Sequence, residues 1–196
     1  MSAAWNHNIH YHSFVLDRLS VSRKRALDVG CGSGELLKEL LPLFEEVTGL
    51  DTDADSLSRV RFSLNGTKVR ILKGDVMMVD LDGDYDLVTV VATLHHLPLK
   101  KALIRFKSLL APGGVLVIVG LYQPRTFLDR CYQVLGLPVS RVYRLIKNFQ
   151  EVEAPTTVPE QTLTEIKKAA AEELPGALIK RRLLFRYTLT WTKPLQ

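Results

Sequence analysis

The chain is poor in cysteine: it has two in 196 residues, Cys31 and Cys131, a hundred positions apart and in no C-x-x-C spacing. That pattern argues against a disulfide framework and a thiolate zinc site, and makes a reducing compartment the expected one. No apolar run approaches the roughly 20 residues needed to span a bilayer. The opening stretch MSAAWNHNIHYHSF lacks the charged-then-apolar layout of a signal peptide, so a cytoplasmic protein is expected. Internal repeats and low-complexity tracts are missing too. Charge of one sign is scarce: the net charge is +5, with 14 Lys+Arg against 14 Asp+Glu in residues 1–120 and 12 against 7 in residues 121–196. So small a surplus reads as an ordinary solvated surface. With no aromatic-basic repeat beside it, no nucleic-acid partner is expected.

What the chain does have is 46% apolar side chains, enough for one domain with a single sizeable core. RALDVG is a short apolar run ending in glycine, and GELLKELLPLF repeats its apolar residues at helical spacing until Pro42. EVTGLD predicts a second strand, followed by a helix with Asp53 as N-cap and Asn65-Gly66 as its stop. KVRILKGD and the nearly all-apolar YDLVTVVATL predict two further strands, the second buried on both sheet faces. PLKKALIRFKSLLAPGG predicts a helix with Pro98 in its first turn, Leu99, Ala102, Leu103, Phe106 and Leu110 on one face, and a Pro-Gly-Gly turn at its end. GVLVIVGLY is a fifth strand. Strands alternating with helices in this way predict an α/β fold with a parallel, doubly wound sheet.

The alternation breaks over 125–150, where two helical patterns follow one another. The first carries Phe127, Leu128, Cys131 and Leu135, the second Val139, Val142, Tyr143 and Ile146. A helix at about 160–173 comes next, and ALIKRRLLFRYTLTWTK then reads as two β segments, with Tyr187, Leu189 and Trp191 alternating in the second.

Gly30, Gly32 and Gly34 stand in the first strand-to-helix turn, which in an open parallel sheet lines the ligand crevice. Glycine there supplies positive φ or lets a ligand approach bare backbone, and the amides opening the next helix face an anion. A nicotinamide or flavin site would carry G-x-G-x-x-G, whereas here the third glycine comes one residue early. That points away from a pyrophosphate and toward a smaller anion such as an amino-acid carboxylate. Asp51 ends the second strand 21 positions after Gly30. A carboxylate there can accept both ribose hydroxyls and would repel a 2′-phosphate.

With LDVGCGSG, GLD, GDVMMVDLDGDYDLV and LLAPGGVLVIVG in this order, residues 24–122 resemble the class I S-adenosylmethionine-dependent methyltransferases. They are similar in particular to the small-molecule enzymes of ubiquinone and menaquinone biosynthesis. The resemblance implies a Rossmann-like, seven-stranded, mostly parallel sheet with an antiparallel last strand, RYTLTWTK, and a helical insertion after strand five. It implies one bound S-adenosylmethionine, with S-adenosylhomocysteine as product. It also implies that Asp75 takes the adenine amino group, that the Val76 amide serves a ring nitrogen, and that Asp28 positions the methionine amino group or the glycine loop. Cys31, Thr52, Ala92 and Thr93 join the glycines, Asp51 and these residues as the cofactor's lining. The aromatic N-terminal segment, residues 1–23, is expected to be a lid with Tyr11 touching the cofactor. Residues 24–122 form the core, 123–158 the insertion over the acceptor site, and 159–196 the last helix and β hairpin.

On the acceptor side, TLHHLP follows the fourth strand and sets His95 and His96 at the mouth of the site. Histidine is the natural base for a hydroxyl acceptor. On extended chain the two would point in opposite directions, so at most one faces the acceptor; the competing reading is that the pair only shapes the loop. His7, His10 and His12 have metal-like spacing, but no carboxylate or thiolate partner is evident nearby, and no metal is expected. No Asn-Pro-Pro-aromatic signature of amino-methylases follows the fourth strand, and LHHLP stands where the catechol type would carry a magnesium-binding Asp. A small organic acceptor remains, with Tyr143 and Ile146 of the insertion as its pocket. Arg141, Arg144 and Lys147 on that helix leave open a peripheral membrane contact, against the plainer reading of a packed helix with a solvated basic face. Two readings compete with methyl transfer: a catalytically silent cofactor-binding protein and a nicotinamide dehydrogenase.

Overall fold

A computed structural model describes residues 6–126, 129, 132, 158–183 and 186–195. After a 3₁₀ turn at Ile9–Tyr11 come α1 (His12–Leu16), β1 (Arg25–Val29), α2 (Glu35–Leu40), β2 (Glu46–Asp51), α3 (Ala54–Ser63), β3 (Val69–Lys73) and β4 (Tyr85–Val91). The chain continues through α4 (Leu99–Leu109), β5 (Leu110–Gly120), α5 (Leu163–Glu173), β6 (Leu178–Arg181) and β7 (Tyr187–Thr192). The seven strands form one sheet in the order β3-β2-β1-β4-β5-β7-β6. β1 to β5 pair in parallel, and β7 runs antiparallel to both neighbours. This is the Rossmann-like doubly wound sheet with an antiparallel last strand that the motifs imply.

Alternation along each strand builds two cores. Leu27, Val29, Val88, Val90, Leu116 and Ile118 face α4 and α5, where they meet Leu103, Phe106, Ile166 and Ala170. Ala26, Leu87, Val115 and Val117 face the opposite layer, with Val15 of α1, Leu37 of α2, and Leu57 and Val60 of α3. β4 is buried on both faces, as its unbroken apolar run requires.

The expected caps are realised in part. Asp53 accepts from the amides of Asp55 (3.4 Å) and Ser56 (3.0 Å) at the start of α3. Thr162 and Glu165 form a reciprocal capping box on α5. Pro98 sits one residue before α4 as its N-cap, not inside its first turn. Leu110, expected on the α4 face, instead opens β5 opposite Tyr85. The Pro-Gly-Gly segment therefore lies inside a paired strand, at a register shift between Tyr85 and Leu87. Gly114 is obligatory there, since a Cβ would lie 2.6 Å from the Tyr85 carbonyl oxygen. Val139, Val142, Tyr143 and Ile146 of the insertion lie outside the described residues, as does Cys131. Among the described residues no helix is long and apolar enough to cross a membrane.

Candidate functional site

From β1 the chain winds one way through β2 to β3 and the other way through β4 to β5, so the crevice opens at the carboxyl ends of β1 and β4. The three turn glycines stand there, all in the left-handed region: Gly30 at φ +75°, Gly32 at +50° and Gly34 at +78°. Their surroundings differ. A Cβ on Gly30 would run into the side chain of Thr93, and one on Gly34 would touch Val60 at 3.1 Å, whereas Gly32 has nothing within 4 Å. Only Gly32 presents bare backbone to open space.

Asp51, at the end of β2, braces this turn. Its Oδ2 accepts from the Gly32 amide (2.8 Å) and its Oδ1 from the Asp53 amide (3.0 Å). A carboxylate has about four acceptor positions, so capacity for further hydroxyl donors remains. Thr52 beside it is exposed, and so is Asp75 beyond β3, whose Oδ1 accepts from the Met77 amide (2.9 Å). Val76 is buried and its carbonyl accepts from Arg105 Nε (3.2 Å).

Asp28, one strand position before Val29, is 2% exposed, and its Oδ1 accepts from Thr89 Oγ1 (2.7 Å) on β4. Burial raises its pKa to about 7; the Thr89 bond opposes the shift and the nearby Asp51 charge adds to it. Cys31 turns its thiol inward toward Gly49, where burial and the charges of Asp28 and Asp51 push its pKa up. It can reach a ligand only through its backbone. Ala92, just past β4, holds φ +52° while its amide donates to the Val119 carbonyl (2.7 Å). Left-handed backbone at a non-glycine residue stores strain, and here it lies on the crevice.

His95 and His96 depart from the expectation. Leu94–His96 form a 3₁₀ turn, not extended chain, and the two rings lie side by side with centroids 3.9 Å apart. The pair therefore does not point in opposite directions. Burial first, then the charges of His96 and Arg186, lower the His95 pKa to about 4. It is neutral at physiological pH and a weak base, unlike the near-neutral base a hydroxyl acceptor would call for.

The N-terminal segment packs over the same edge. Tyr11 is buried and its hydroxyl donates to the Leu183 carbonyl (2.7 Å), while burial pushes its pKa up to about 12 against the opposing charges of Arg186 and Arg182. His12 Nδ1 lies 2.6 Å from Glu39 Oε1, tying α1 to α2. The carboxylate partner not evident in the linear sequence thus comes from 27 residues away. His10 stacks edge-on against Tyr11 at 5.0 Å. Among the described residues no group of three or more His, Cys, Asp or Glu side chains could hold a metal ion.

Arg186 is the residue that the sequence did not single out. Standing at the head of β7, it is 8% exposed, and its Nη2 donates to Asn8 Oδ1 (2.9 Å). In the sequence it is one of 12 C-terminal cations. The sequence marks it only by its place directly before the alternating Tyr187, Leu189 and Trp191.

Residues 27–118 match a family described as a methyltransferase domain. An uncharacterised methyltransferase of Mycobacterium tuberculosis is 32% identical over the full length of both chains. The chain belongs to the methyltransferases. A ubiquinone biosynthesis O-methyltransferase of Marinobacter nauticus is 33% identical over 59% of this methyltransferase and 52% of its own length. Two solved structures share the fold. The amino pentose methyltransferase CalS10 of Micromonospora echinaspora, with S-adenosylmethionine bound, is 22% identical at TM-score 0.63 over 88% of this chain and 84% of its own. The N-methyltransferase NodS of Bradyrhizobium japonicum, with S-adenosylhomocysteine bound, is 16% identical at TM-score 0.66 over 95% and 87%. In this methyltransferase the open backbone at Gly32, next to a carboxylate with acceptor capacity to spare, fits a small zwitterion joined to a ribose.

Proposed function

We propose that this methyltransferase transfers the methyl group of S-adenosylmethionine to a small organic acceptor. The observation that carries the reading is the unfilled space over Gly32 at the strand-order reversal, beside the carboxylate of Asp51. The backbone of Gly30, Cys31, Gly32 and Gly34 would hold the amino-acid moiety, with Asp28 behind it, and Asp51 with Thr52 would hold the ribose. Asp75 and the Val76 amide would hold the adenine, and Ala92 and Thr93 would line the floor toward the acceptor. When bound, the sulfonium supplies an activated methyl group whose departure leaves a neutral thioether.

The chain's own residues then have to align the acceptor and exclude water. In this reading the N-terminal segment, residues 1–23, would serve as the lid, and the Tyr11–Leu183 and His12–Glu39 bonds tying it to the rest of the fold support that role. Of the insertion, Tyr143 and Ile146 remain candidates for the acceptor pocket. Calorimetry with S-adenosylmethionine, S-adenosylhomocysteine and NAD tests the reading: micromolar binding of the first two and none of NAD is expected. Absence of binding by both sulfur compounds overturns it. Binding without turnover across a broad panel of oxygen, nitrogen, carbon and sulfur acceptors would replace it with a silent cofactor-binding protein.

A further inference from the structure

The loop between β3 and β4 is held from outside by one side chain of α4. Arg105, half-buried on that helix, turns one edge of its guanidinium onto the loop: Nε donates to the Val76 carbonyl (3.2 Å) and Nη2 to the Val79 carbonyl (2.8 Å). Both acceptors are neutral backbone groups. A rigid, planar fork set on two carbonyls three residues apart fixes the loop in one place. Beneath this clamp the loop folds on itself. The amides of Met78 (2.9 Å) and Val79 (2.8 Å) donate to the Asp75 carbonyl, and a Cβ on Gly74 would run into the Val79 side chain. Val76 is part of the core that α4 covers, with Met77 and Val79 packed against it.

The peptide group joining Val76 to Met77 links the clamp to Asp75. Its oxygen accepts from Arg105, and its N–H, which belongs to Met77, donates to Asp75 Oδ1 (2.9 Å). A cation on the oxygen of a peptide group polarises that group and strengthens the bond its N–H donates. Arg105 thus acts on the Asp75 carboxylate through a single peptide unit. Its second bond closes the same circuit from the backbone side, since the Val79 residue it holds is the one whose amide holds the Asp75 carbonyl. An exposed aspartate left to itself turns about its side-chain bonds, and a carboxylate that reads a base must not. We propose that Arg105 is the positioning residue for base recognition: by anchoring Asp75 Oδ1 it sets Oδ2 to accept from the adenine amino group, and so makes the site selective for a purine that bears one. The inference rests on the reading that Asp75 holds the adenine of S-adenosylmethionine. A merely structural clamp would serve any base alike, whereas a positioning clamp serves only a base that offers Asp75 a donor.

The test compares the binding of S-adenosylhomocysteine and S-inosylhomocysteine to the full chain by calorimetry. The second compound carries a carbonyl oxygen in place of the amino group and has no hydrogen there to donate to Asp75. The wild type is expected to prefer the adenine compound at least about tenfold, because a site built to receive a donor rejects an analogue without one. Arg105→Met keeps the apolar stem and removes the fork; it should cut the preference below about threefold, chiefly by loss of S-adenosylhomocysteine affinity, with Arg105→Lys in between. Added to Asp75→Ala, Arg105→Met should leave the remaining preference unchanged within about twofold, since the group it acts through is gone. Urea denaturation checks folding, and if Arg105→Met does not fold, the preference of Arg105→Lys decides. Two results overturn the proposal. One is a folded Arg105 variant that keeps the wild-type preference, even with both affinities lowered, which makes the clamp a structural brace. The other is a further fall in preference of more than about threefold when Arg105→Met is added to Asp75→Ala, which shows that Arg105 acts by another route. Equal binding of both compounds by the wild type is a different result, which removes the assignment of Asp75 to the adenine and this inference with it. Failure of S-adenosylhomocysteine to bind the wild type removes the methyl-transfer reading itself.

Discussion

Gly30 and Thr93 occupy one another's space across the crevice: a Cβ on Gly30 would stand 2.7 Å from Thr93 Cγ2 and 2.8 Å from Thr93 Cβ. Two residues 63 positions apart therefore weld the end of β1 to the end of β4, at the point where the strand order reverses.

The weld separates two glycine substitutions that look alike in the sequence. Gly30→Ala combines a left-handed φ with a collision and should destabilise the protein by about 2–4 kcal/mol in urea denaturation. Gly32→Ala meets no atom and should cost only the backbone strain, about 1 kcal/mol, yet it should weaken S-adenosylhomocysteine binding at least about tenfold by filling the space the ligand needs. A folded Gly32→Ala protein with unchanged affinity would show that the ligand does not approach this backbone.

Asp51 has two duties that two variants divide. Asp51→Ala removes the acceptor for the Gly32 and Asp53 amides, so a stability loss of about 1–3 kcal/mol accompanies a loss of cofactor binding of about 1.5–3 kcal/mol. Asp51→Asn keeps one amide acceptor and should recover most of the stability while cofactor binding stays weak. Equal recovery of both in calorimetry and denaturation would show that Asp51 only holds the turn.

Asp28 makes stability and binding respond to pH. Its folded pKa of about 7 lies above the ordinary 3.8, so the folded state holds this proton more tightly than the unfolded chain does. The stabilisation is complete below about pH 4 and is lost as pH rises to about 7, on the order of a few kcal/mol. Asp28→Asn should remove that decline, so that the variant's stability relative to wild type improves between pH 4 and 7. A ligand ammonium beside Asp28 should drive the proton off, so calorimetry near pH 6 in buffers of different ionisation enthalpy should show proton release on binding. Asp28→Asn should show none.

His95 works in the opposite sense. Its pKa is lowered to about 4, so its contribution to stability is present above the ordinary 6.5 and is lost as pH falls from there toward 4. His95→Gln should flatten that acid-side loss. In the wild type kcat/KM should show no limb assignable to an imidazole between pH 6 and 8. Such a limb, abolished by His95→Gln, would restore His95 as a general base.

Much of this was written in local sequence. Apolar alternation specified the strands, because a β strand shows its two faces in period two. The early third glycine and the carboxylate of Asp51 marked the crevice, because chemistry confined to one turn needs neighbours only a few residues away. The cap at Asp53 and the hairpin of β6 and β7 were legible for the same reason. Only the tertiary structure decided which glycine is open, because Thr93 and Val60 come to Gly30 and Gly34 from distant elements. It also curled the histidine pair into a 3₁₀ turn with the two rings in tilted contact, and brought Glu39 to His12 across 27 residues. Above all, it turned Arg186 from one surface-like cation among many into a buried charge. Whether a guanidinium faces water or the interior depends on strand register and on what covers the strand end, and neither is encoded next to it in the chain.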